Sequence, residues 1–379
     1  MTSLMIELLR RLGRPASVRA FCFAVLLACV GVALAIMSID FVAAAASGAA
    51  PKYVRKTSGP VLSLAADGDR AAFIVEGRVK ECWSVMVWQP TRRRIHRLQS
   101  AAACESNDRP NRRGLPTVAL AGTRAAWHWI SGGNTLETII SSATLARPKP
   151  VWLAYGAADE GVAGSFVSRP AGDGSILAFT SEVRCHPDYE GFICPPSRKP
   201  GDITEATVWR VGGNGRCSSP VSSGPVRCSV VAKADSELTV LAVDAGRIAV
   251  GTETGLRLFT AAGRVLRDID VKPQAAALSG HRLAVRTASA VEVYDTENGD
   301  RLDRLSVPKA VRLEDLDGDI LVTASGGAVT LRGLGDGSTT RIGAGRTGLA
   351  QLERPGLFVA SARRVTFMPM REVLRRLSG

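Results

Sequence analysis

The sequence lacks the residue patterns on which most metal-dependent and nucleophilic enzymes rely. Its 379 residues contain four histidines, and none of them has a second histidine at ligand spacing. The patterns G-x-S-x-G, H-E-x-x-H and C-x-x-C are all absent. We therefore predict no catalytic residue, no metal site and no cofactor, and we expect a binding module more than an enzyme.

Aromatic residues are also scarce. They make up 5% of the chain, whereas all hydrophobic residues together make up 46%, so the core must be mostly aliphatic. The 38 glycines and 19 prolines favour a fold with short strands and a turn every few residues.

A turn glycine followed by a short apolar run recurs along the chain and indicates repeats. These anchor glycines are Gly68, Gly122, Gly174, Gly246, Gly280, Gly318 and Gly356. A repeat of roughly 40 residues built from short strands is typical of a β-propeller with one four-stranded sheet per repeat. We therefore predict an all-β fold, a seven-bladed β-propeller over residues 58–379. Either residues 52–56 or residues 371–377 should supply the outer strand of the closing blade, because an open edge strand favours aggregation.

One repeat carries a recognisable motif. The strand Val291-Glu292-Val293-Tyr294-Asp295 is followed by a turn with Gly299, and similar strands end at Trp88, Trp209 and Phe259. This pattern resembles bacterial exported propellers of the WD-repeat, YVTN and quinoprotein-like kind. The resemblance covers nearly all of residues 58–379 and implies a fold without implying an activity.

The N-terminal residues predict export. Arg10, Arg11, Arg14 and Arg19 precede the uncharged run of residues 20–39, which is long enough to cross a bilayer as a helix. We predict a basic cytoplasmic region at 1–19, a transmembrane helix or signal-peptide core at 20–42, and a linker with a possible closing strand at 43–57. The propeller would then be extracytoplasmic and anchored to the cytoplasmic membrane. The alternative is secretion after cleavage near residues 43–50.

The cysteines are consistent with an exported chain. Six follow the apolar run, and an even number in an oxidising compartment favours disulfides. Their spacing predicts the pairs Cys82–Cys104, Cys185–Cys194 and Cys217–Cys228.

The net charge of +13 favours an anionic partner. No run of basic residues interleaved with aromatics is present, so nucleic acid is not expected. Insertions at 99–116 and 184–202 should emerge on one face over blades one to three. Recognition residues usually gather in loops on one side of a rigid scaffold. The predicted binding residues are Arg109, Arg112, Arg113, His186, Tyr189, Phe192, Arg198 and Lys199.

Two functions from different classes follow. The first is a non-catalytic module, tethered outside the membrane, that binds a protein or an anionic cell-envelope polymer. The second is an exported propeller enzyme of hydrolase or lactonase type. Four or more carboxylates or histidines converging on the channel mouth would favour the enzyme. The acidic stretch of residues 315–320 resembles the start of a calcium loop, but it coincides with an anchor turn, where Asp and Gly are expected.

Overall fold

The computed structural model describes residues 53–79, 81–101, 112–159, 162–217, 226–345 and 348–379. The predicted membrane segment and Arg109 lie outside these residues. Among the residues described, no helix is long and apolar enough to cross a membrane.

Strands account for nearly all of the regular structure. In chain order, the described residues up to Ala234 contain β1 (Tyr53–Lys56), β2 (Val61–Asp67), β3 (Arg70–Glu76), β4 (Trp83–Gln89), β5 (Arg94–Gln99), β6 (Arg112–Ala121), β7 (Arg124–Gly132), β8 (Thr135–Thr144), β9 (Arg147–Asp159), β10 (Ala163–Val167), β11 (Ala171–Asp173), β12 (Ile176–Arg184), β13 (Ile203–Arg216) and β14 (Arg227–Ala234).

The last four repeats are more compact and end in a short helix. They contain β15 (Leu238–Asp244), β16 (Arg247–Thr252), β17 (Leu256–Thr260), β18 (Val265–Ile269), β19 (Ala275–Ser279), β20 (Arg282–Arg286), β21 (Ala290–Asp295), β22 (Arg301–Ser306), β23 (Arg312–Asp317), β24 (Ile320–Ser325), β25 (Ala328–Gly333), β26 (Thr339–Gly343), β27 (Leu349–Glu353), β28 (Gly356–Ser361), β29 (Arg364–Pro369) and α1 (Met370–Leu377).

Five of the repeats form four-stranded antiparallel blades. Four of these blades follow chain order from the inner to the outer strand: β2 to β5, β15 to β18, β19 to β22 and β23 to β26. The fifth is ordered β27-β28-β29-β1, so the first described strand completes the last repeat. Each inner strand contacts the inner strand of the next repeat, and β27 contacts β2, which closes the ring.

The prediction of seven separate blades is wrong, because the structure has five. Repeats two and three instead share one nine-stranded sheet. The strand β10 joins them by pairing with β9 on one side and with β12 on the other. At Gly164 of β10 (φ 133°), a Cβ atom would lie 2.2 Å from the carbonyl oxygen of Ala157, so only glycine fits this close approach.

The closing strand is β1, one of the two predicted alternatives. Tyr53 pairs with Phe367 of β29, whereas residues 371–377 belong to α1. Behind this pairing, Phe367 lies 4.8 Å from Phe358 between ring centroids, and Phe358 lies 6.4 Å from Trp88 of repeat one. The junction of the last repeat with the first is therefore an aromatic contact.

The strand order gives the propeller two distinct faces. The anchor-turn face carries the turns between the first and second strands and between the third and fourth strands of each repeat. The insertion face carries the other connections, which include both long insertions. The two faces are separate because successive antiparallel strands turn at opposite ends.

We expect Phe358→Ala to weaken the closure of the ring. Phe358 is fully buried, and truncating such a side chain costs about 3–5 kcal/mol of unfolding free energy. Chemical denaturation would measure the loss. The matched control is Val265→Ala, because Val265 is 47% exposed and should change stability by less than about 0.5 kcal/mol. A loss at Phe358 no larger than that of the control would contradict the closure.

Candidate functional site

The loop between β12 and β13 is closed by the predicted disulfide Cys185–Cys194, with an S–S distance of 2.14 Å. Backbone bonds fix its base: Cys185 N–H donates to the Asp202 carbonyl at 3.1 Å, and Gly201 N–H donates to the Cys185 carbonyl at 2.8 Å. Within the loop, His186 N–H donates to the Phe192 carbonyl at 2.8 Å. The loop is therefore a fixed protrusion on the insertion face.

The side chains of this loop form a small mixed surface. The rings of His186 and Tyr189 meet edge to face, with centroids 5.0 Å apart, and Phe192 is half-buried. Ile193 is 66% exposed. Sequence reasoning missed Ile193, although an apolar residue beside a cysteine in an otherwise polar loop was a usable signal.

The two basic residues of the loop differ in their surroundings. Arg198 donates from Nη2 to a carboxylate oxygen of Asp235 at 2.7 Å and to the Asp235 carbonyl at 3.0 Å. Its guanidinium therefore ties the loop to the connection between β14 and β15. Lys199 is exposed. Its backbone N–H donates to the Asp202 carboxylate at 2.8 Å, and its carbonyl accepts the N–H of Asp202 at 3.0 Å.

The predicted arginines of the first insertion are placed only in part. Arg112 and Arg113 begin β6, where their backbones pair with Ser131 and Ile130 at the insertion face. Arg109 and Cys104 lie outside the described residues. Cys82 is disulfide-bonded, and its pairing with Cys104 stays a prediction. The third predicted pair, Cys217–Cys228, is present with an S–S distance of 2.01 Å.

A second group of residues lies on the anchor-turn face, where the inner strands end. Five inner strands end in a carboxylate at the anchor-turn face: Asp67, Asp173, Asp244, Asp317 and Glu353. Asp315 precedes Asp317 by two residues and lines the same cavity as four of the five. We call these six residues the carboxylate ring.

The ring residues hold the turns of neighbouring repeats. Asp67 accepts the N–H of Gly122, Asp244 accepts that of Gly280, and Glu353 accepts that of Gly68 at 3.1 Å. At other junctions the acceptors are Asp173 for Ala245 N–H, Ser279 for Gly318 N–H and Asp315 for Leu352 N–H. A carboxylate that accepts a backbone N–H makes a charge-assisted bond, stronger than a neutral one when the group is ionised.

Two of these junctions also use an arginine. Arg70, paired in register with Asp67, donates to the carbonyl of Gly122 at 2.7 Å. Arg247, paired with Asp244, donates to the carbonyl of Gly280. At these two junctions both polar backbone groups of the anchor glycine are thus bound by the preceding repeat.

Burial and neighbouring carboxylates raise several pKa values in the carboxylate ring. Burial, followed by the charge of Asp244, raises the pKa of Asp173 to about 7. Burial raises the pKa of Asp315 to about 8, and burial together with Asp315 raises the pKa of Glu353 to about 9. Burial also raises the pKa of Asp317. Part of the ring therefore keeps its protons at neutral pH.

Four or more carboxylates converge here, which is the arrangement that would favour an enzyme. The cavity between them, however, is small for a substrate. The cavity measures about 80 Å³, whereas ligand sites usually occupy about 300–1,000 Å³. Among the described residues, no group of three or more His, Cys, Asp or Glu could hold a metal ion. The hydrogen bonds of the ring join neighbouring repeats.

One comparison with a solved structure agrees with the propeller fold. No protein-family model and no curated protein sequence matches the chain. A chain in a crystal structure of the mitotic checkpoint complex is similar at 12% identity with a TM-score of 0.51, covering 85% of this chain and 95% of that one. Sqt1 of Saccharomyces cerevisiae and KlHsv2 with loop 6CD replaced by a Gly-Ser linker each match at 10% identity with a TM-score of 0.45. The Sqt1 match covers 84% of this chain and 97% of that one, and the KlHsv2 match covers 83% and 91%. The protein has the fold of a WD-repeat-like β-propeller.

We expect Asp67→Ala to destabilise the junction between repeats one and two. The substitution leaves the N–H of Gly122 without its acceptor, at a cost of about 1–3 kcal/mol. Asp67→Asn keeps an acceptor oxygen and should lose less, as measured by urea unfolding. Equal losses in the two variants would show that the hydrogen bond is not what Asp67 contributes.

We expect the protein to lose stability as the pH rises from 5 to 9. Three of the ring carboxylates, Asp173, Asp315 and Glu353, have pKa values raised from 3.8 (Asp) or 4.5 (Glu) to between about 7 and 9. The folded chain therefore binds more protons than the unfolded chain in this range. The loss should reach at least about 1.4 kcal/mol, the free energy of one pKa unit.

Thermal unfolding across this pH range tests the assignment to the ring. Glu353→Gln keeps an acceptor for Gly68 N–H and should flatten the pH dependence. Asp336→Asn is the control, because Asp336 is exposed and its pKa is lowered, so it stays ionised throughout. A wild-type melting temperature that does not change between pH 5 and 9 would contradict the raised pKa values.

Proposed function

We propose that this protein is a non-catalytic, extracytoplasmic propeller, tethered to the membrane, that binds a protein or an anionic cell-envelope polymer through its insertion face. The observation that carries the proposal is the disulfide-closed loop of residues 185–202. It presents exposed Ile193 beside Tyr189 and Phe192 on a fixed backbone. A rigid loop loses little conformational entropy on binding, which favours recognition.

The charge of this face supports an anionic or mixed partner surface. Lys199 is exposed on the loop, and Arg112 and Arg113 start their strand on the same face. Arg198 has the different role of positioning the loop, because its guanidinium is paired with Asp235. Basic residues around an apolar centre are the usual arrangement of a polar rim and a hydrophobic core in a protein interface.

The location outside the membrane is supported by two kinds of observation. The two disulfides within repeat three fit an oxidising compartment. The uncharged run of residues 20–39 behind four arginines fits an N-terminal membrane helix with the propeller on the far side.

Charge reversal tests the anionic polymer as partner. We expect the triple variant R112E/R113E/K199E to bind acidic wall polymer more weakly than the wild type and with a smaller dependence on salt. The control is K272E/K309E/R363E, which makes the same charge change at exposed residues on the insertion face of later repeats. If both triple variants bind the polymer as tightly as the wild type, the result would contradict an anionic polymer as the partner.

Site-specific crosslinking tests a protein as partner. A photo-reactive residue at Ile193 should capture the same protein in cells from one preparation to the next, and Cys185→Ser/Cys194→Ser should reduce the yield by loosening the loop. The control position is Leu302, which is 52% exposed on the outer strand of repeat five. Equal capture at both positions would contradict a binding site on the loop.

The exported hydrolase is the second candidate, and the carboxylate ring is the observation that favours it. A carboxylic acid with a pKa near 7, such as Asp173, is suited to general acid catalysis. Hydrolysis of an ester or lactone panel that Asp173→Asn abolishes would support it.

A further inference from the structure

Three consecutive arginines are exposed on the anchor-turn face of repeat one. Arg92 and Arg93 lie in the turn between β4 and β5, and Arg94 begins β5. Among the described residues, none of the three guanidinium groups forms an ion pair or a side-chain hydrogen bond. Three adjacent cations without counter-charges repel one another, so they favour an external anion.

Two further cations extend this group on one side. Arg147 and Lys149 are exposed at the start of β9, which follows a turn of the same face, and β9 contacts β5. Arg371 of α1 is not part of this group, because α1 packs against β25 and β26 of repeat six. We call these five residues the basic strip: Arg92, Arg93, Arg94, Arg147 and Lys149.

Nearby acidic side chains do not neutralise the strip. Asp69 pairs with Arg70 and accepts bonds from Gln89, and Glu372 pairs with Arg375 and Arg376. The turns of the same face in repeats five and six are different, because they carry the acidic residues Asp295, Glu297, Asp300, Asp319 and Asp336. Among the described residues, the exposed cations of the strip therefore keep their positive charge unpaired in repeats one and two.

The chain enters the propeller at the same place. β1 begins at Tyr53 opposite Phe367, near the end of β29 that leads into α1, so its first residue lies at the anchor-turn face. Ten residues separate Tyr53 from residue 42, the end of the proposed membrane segment. Fully extended, ten residues reach about 35 Å. Repeat seven is thus held close to any membrane that contains the tether.

We propose that the basic strip rests on anionic phospholipid headgroups of the membrane to which the chain is tethered, leaving the insertion face turned outward. The inference rests on the membrane tether of the proposed function. A tether also raises the effective concentration of the strip at the lipid, so a weak contact suffices.

The test uses the full-length chain in nanodiscs of phosphatidylcholine alone or mixed with phosphatidylglycerol. A fluorescent residue placed at Thr91, in the turn of the strip, or at Ile193, on the insertion face, reports energy transfer to acceptor-labelled headgroups. We expect stronger transfer from Thr91 than from Ile193, and only with phosphatidylglycerol. High salt should abolish the difference, because exposed charges are screened.

Charge reversal assigns the contact to the strip. R92E/R93E/R94E should remove the transfer at Thr91 and weaken binding to phosphatidylglycerol vesicles about 100-fold, since each basic residue near an anionic surface contributes about fivefold. The control K272E/K309E/R363E changes the same charge on the opposite face and should retain both signals. Transfer from Thr91 that does not exceed that from Ile193, or that is equal in the two lipid mixtures, would overturn the inference.

Alkaline extraction tests the membrane tether independently of the contact between the strip and the lipid. A chain that stays in the membrane but shows no lipid-dependent transfer at Thr91 retains the tether and overturns the strip contact. A chain that is extracted overturns the tether. In that case, binding of the released chain to phosphatidylglycerol vesicles, lost in R92E/R93E/R94E, would still support the strip, and no binding would overturn it.

Discussion

The propeller depends on hydrogen bonds from backbone N–H groups of one repeat to side chains on the inner strand of the preceding repeat. Most repeats share no backbone ladder with their neighbours, so side chains must join them. A carboxylate or hydroxyl supplies the acceptor at six junctions, and the bond from Gly68 to Glu353 joins the last repeat to the first. The remaining junction lies between repeats two and three, where the inner strand ends at Ala121, whose side chain accepts no bond. There the strand β10 provides backbone hydrogen bonds instead.

The same bonds bring the carboxylates of the ring together. Inner strands that converge on one axis place their last residues close to one another, so the carboxylates that bind the turns also repel one another. Burial disfavours the charged form and is the first cause of the raised pKa values of Asp173, Asp315 and Glu353, and neighbouring carboxylates add to it. Shifted pKa values are common at active sites, but ion and hydrogen-bond networks produce them as well. The cavity between these carboxylates, about 80 Å³, is small for a ligand site.

The two faces of the propeller differ in their chemistry. On the insertion face, a disulfide and several backbone bonds hold an apolar residue outward in the loop of repeat three. On the anchor-turn face, exposed arginines of repeat one lie beside the strand that completes repeat seven, because Tyr53 and Ile95 pack in one cluster. Because antiparallel strands turn at opposite ends, insertions can accumulate on one face without disturbing the glycines and carboxylates of the other.

Local patterns were readable from the sequence by itself. The recurring anchor glycines predicted the repeats, because a turn with φ near +55°, as at Gly68 and Gly280, excludes most other residues. Cys185 and Cys194 could be paired from their spacing, since a short loop brings them together. The tertiary structure decided what depends on distant contacts. Asp235 meets Arg198 across 37 residues, β10 merges two repeats, and the six ring carboxylates become neighbours only when the ring closes. Sequence spacing carries no information about which strand ends converge on an axis, and for that reason neither the carboxylate ring nor the shared sheet could be predicted.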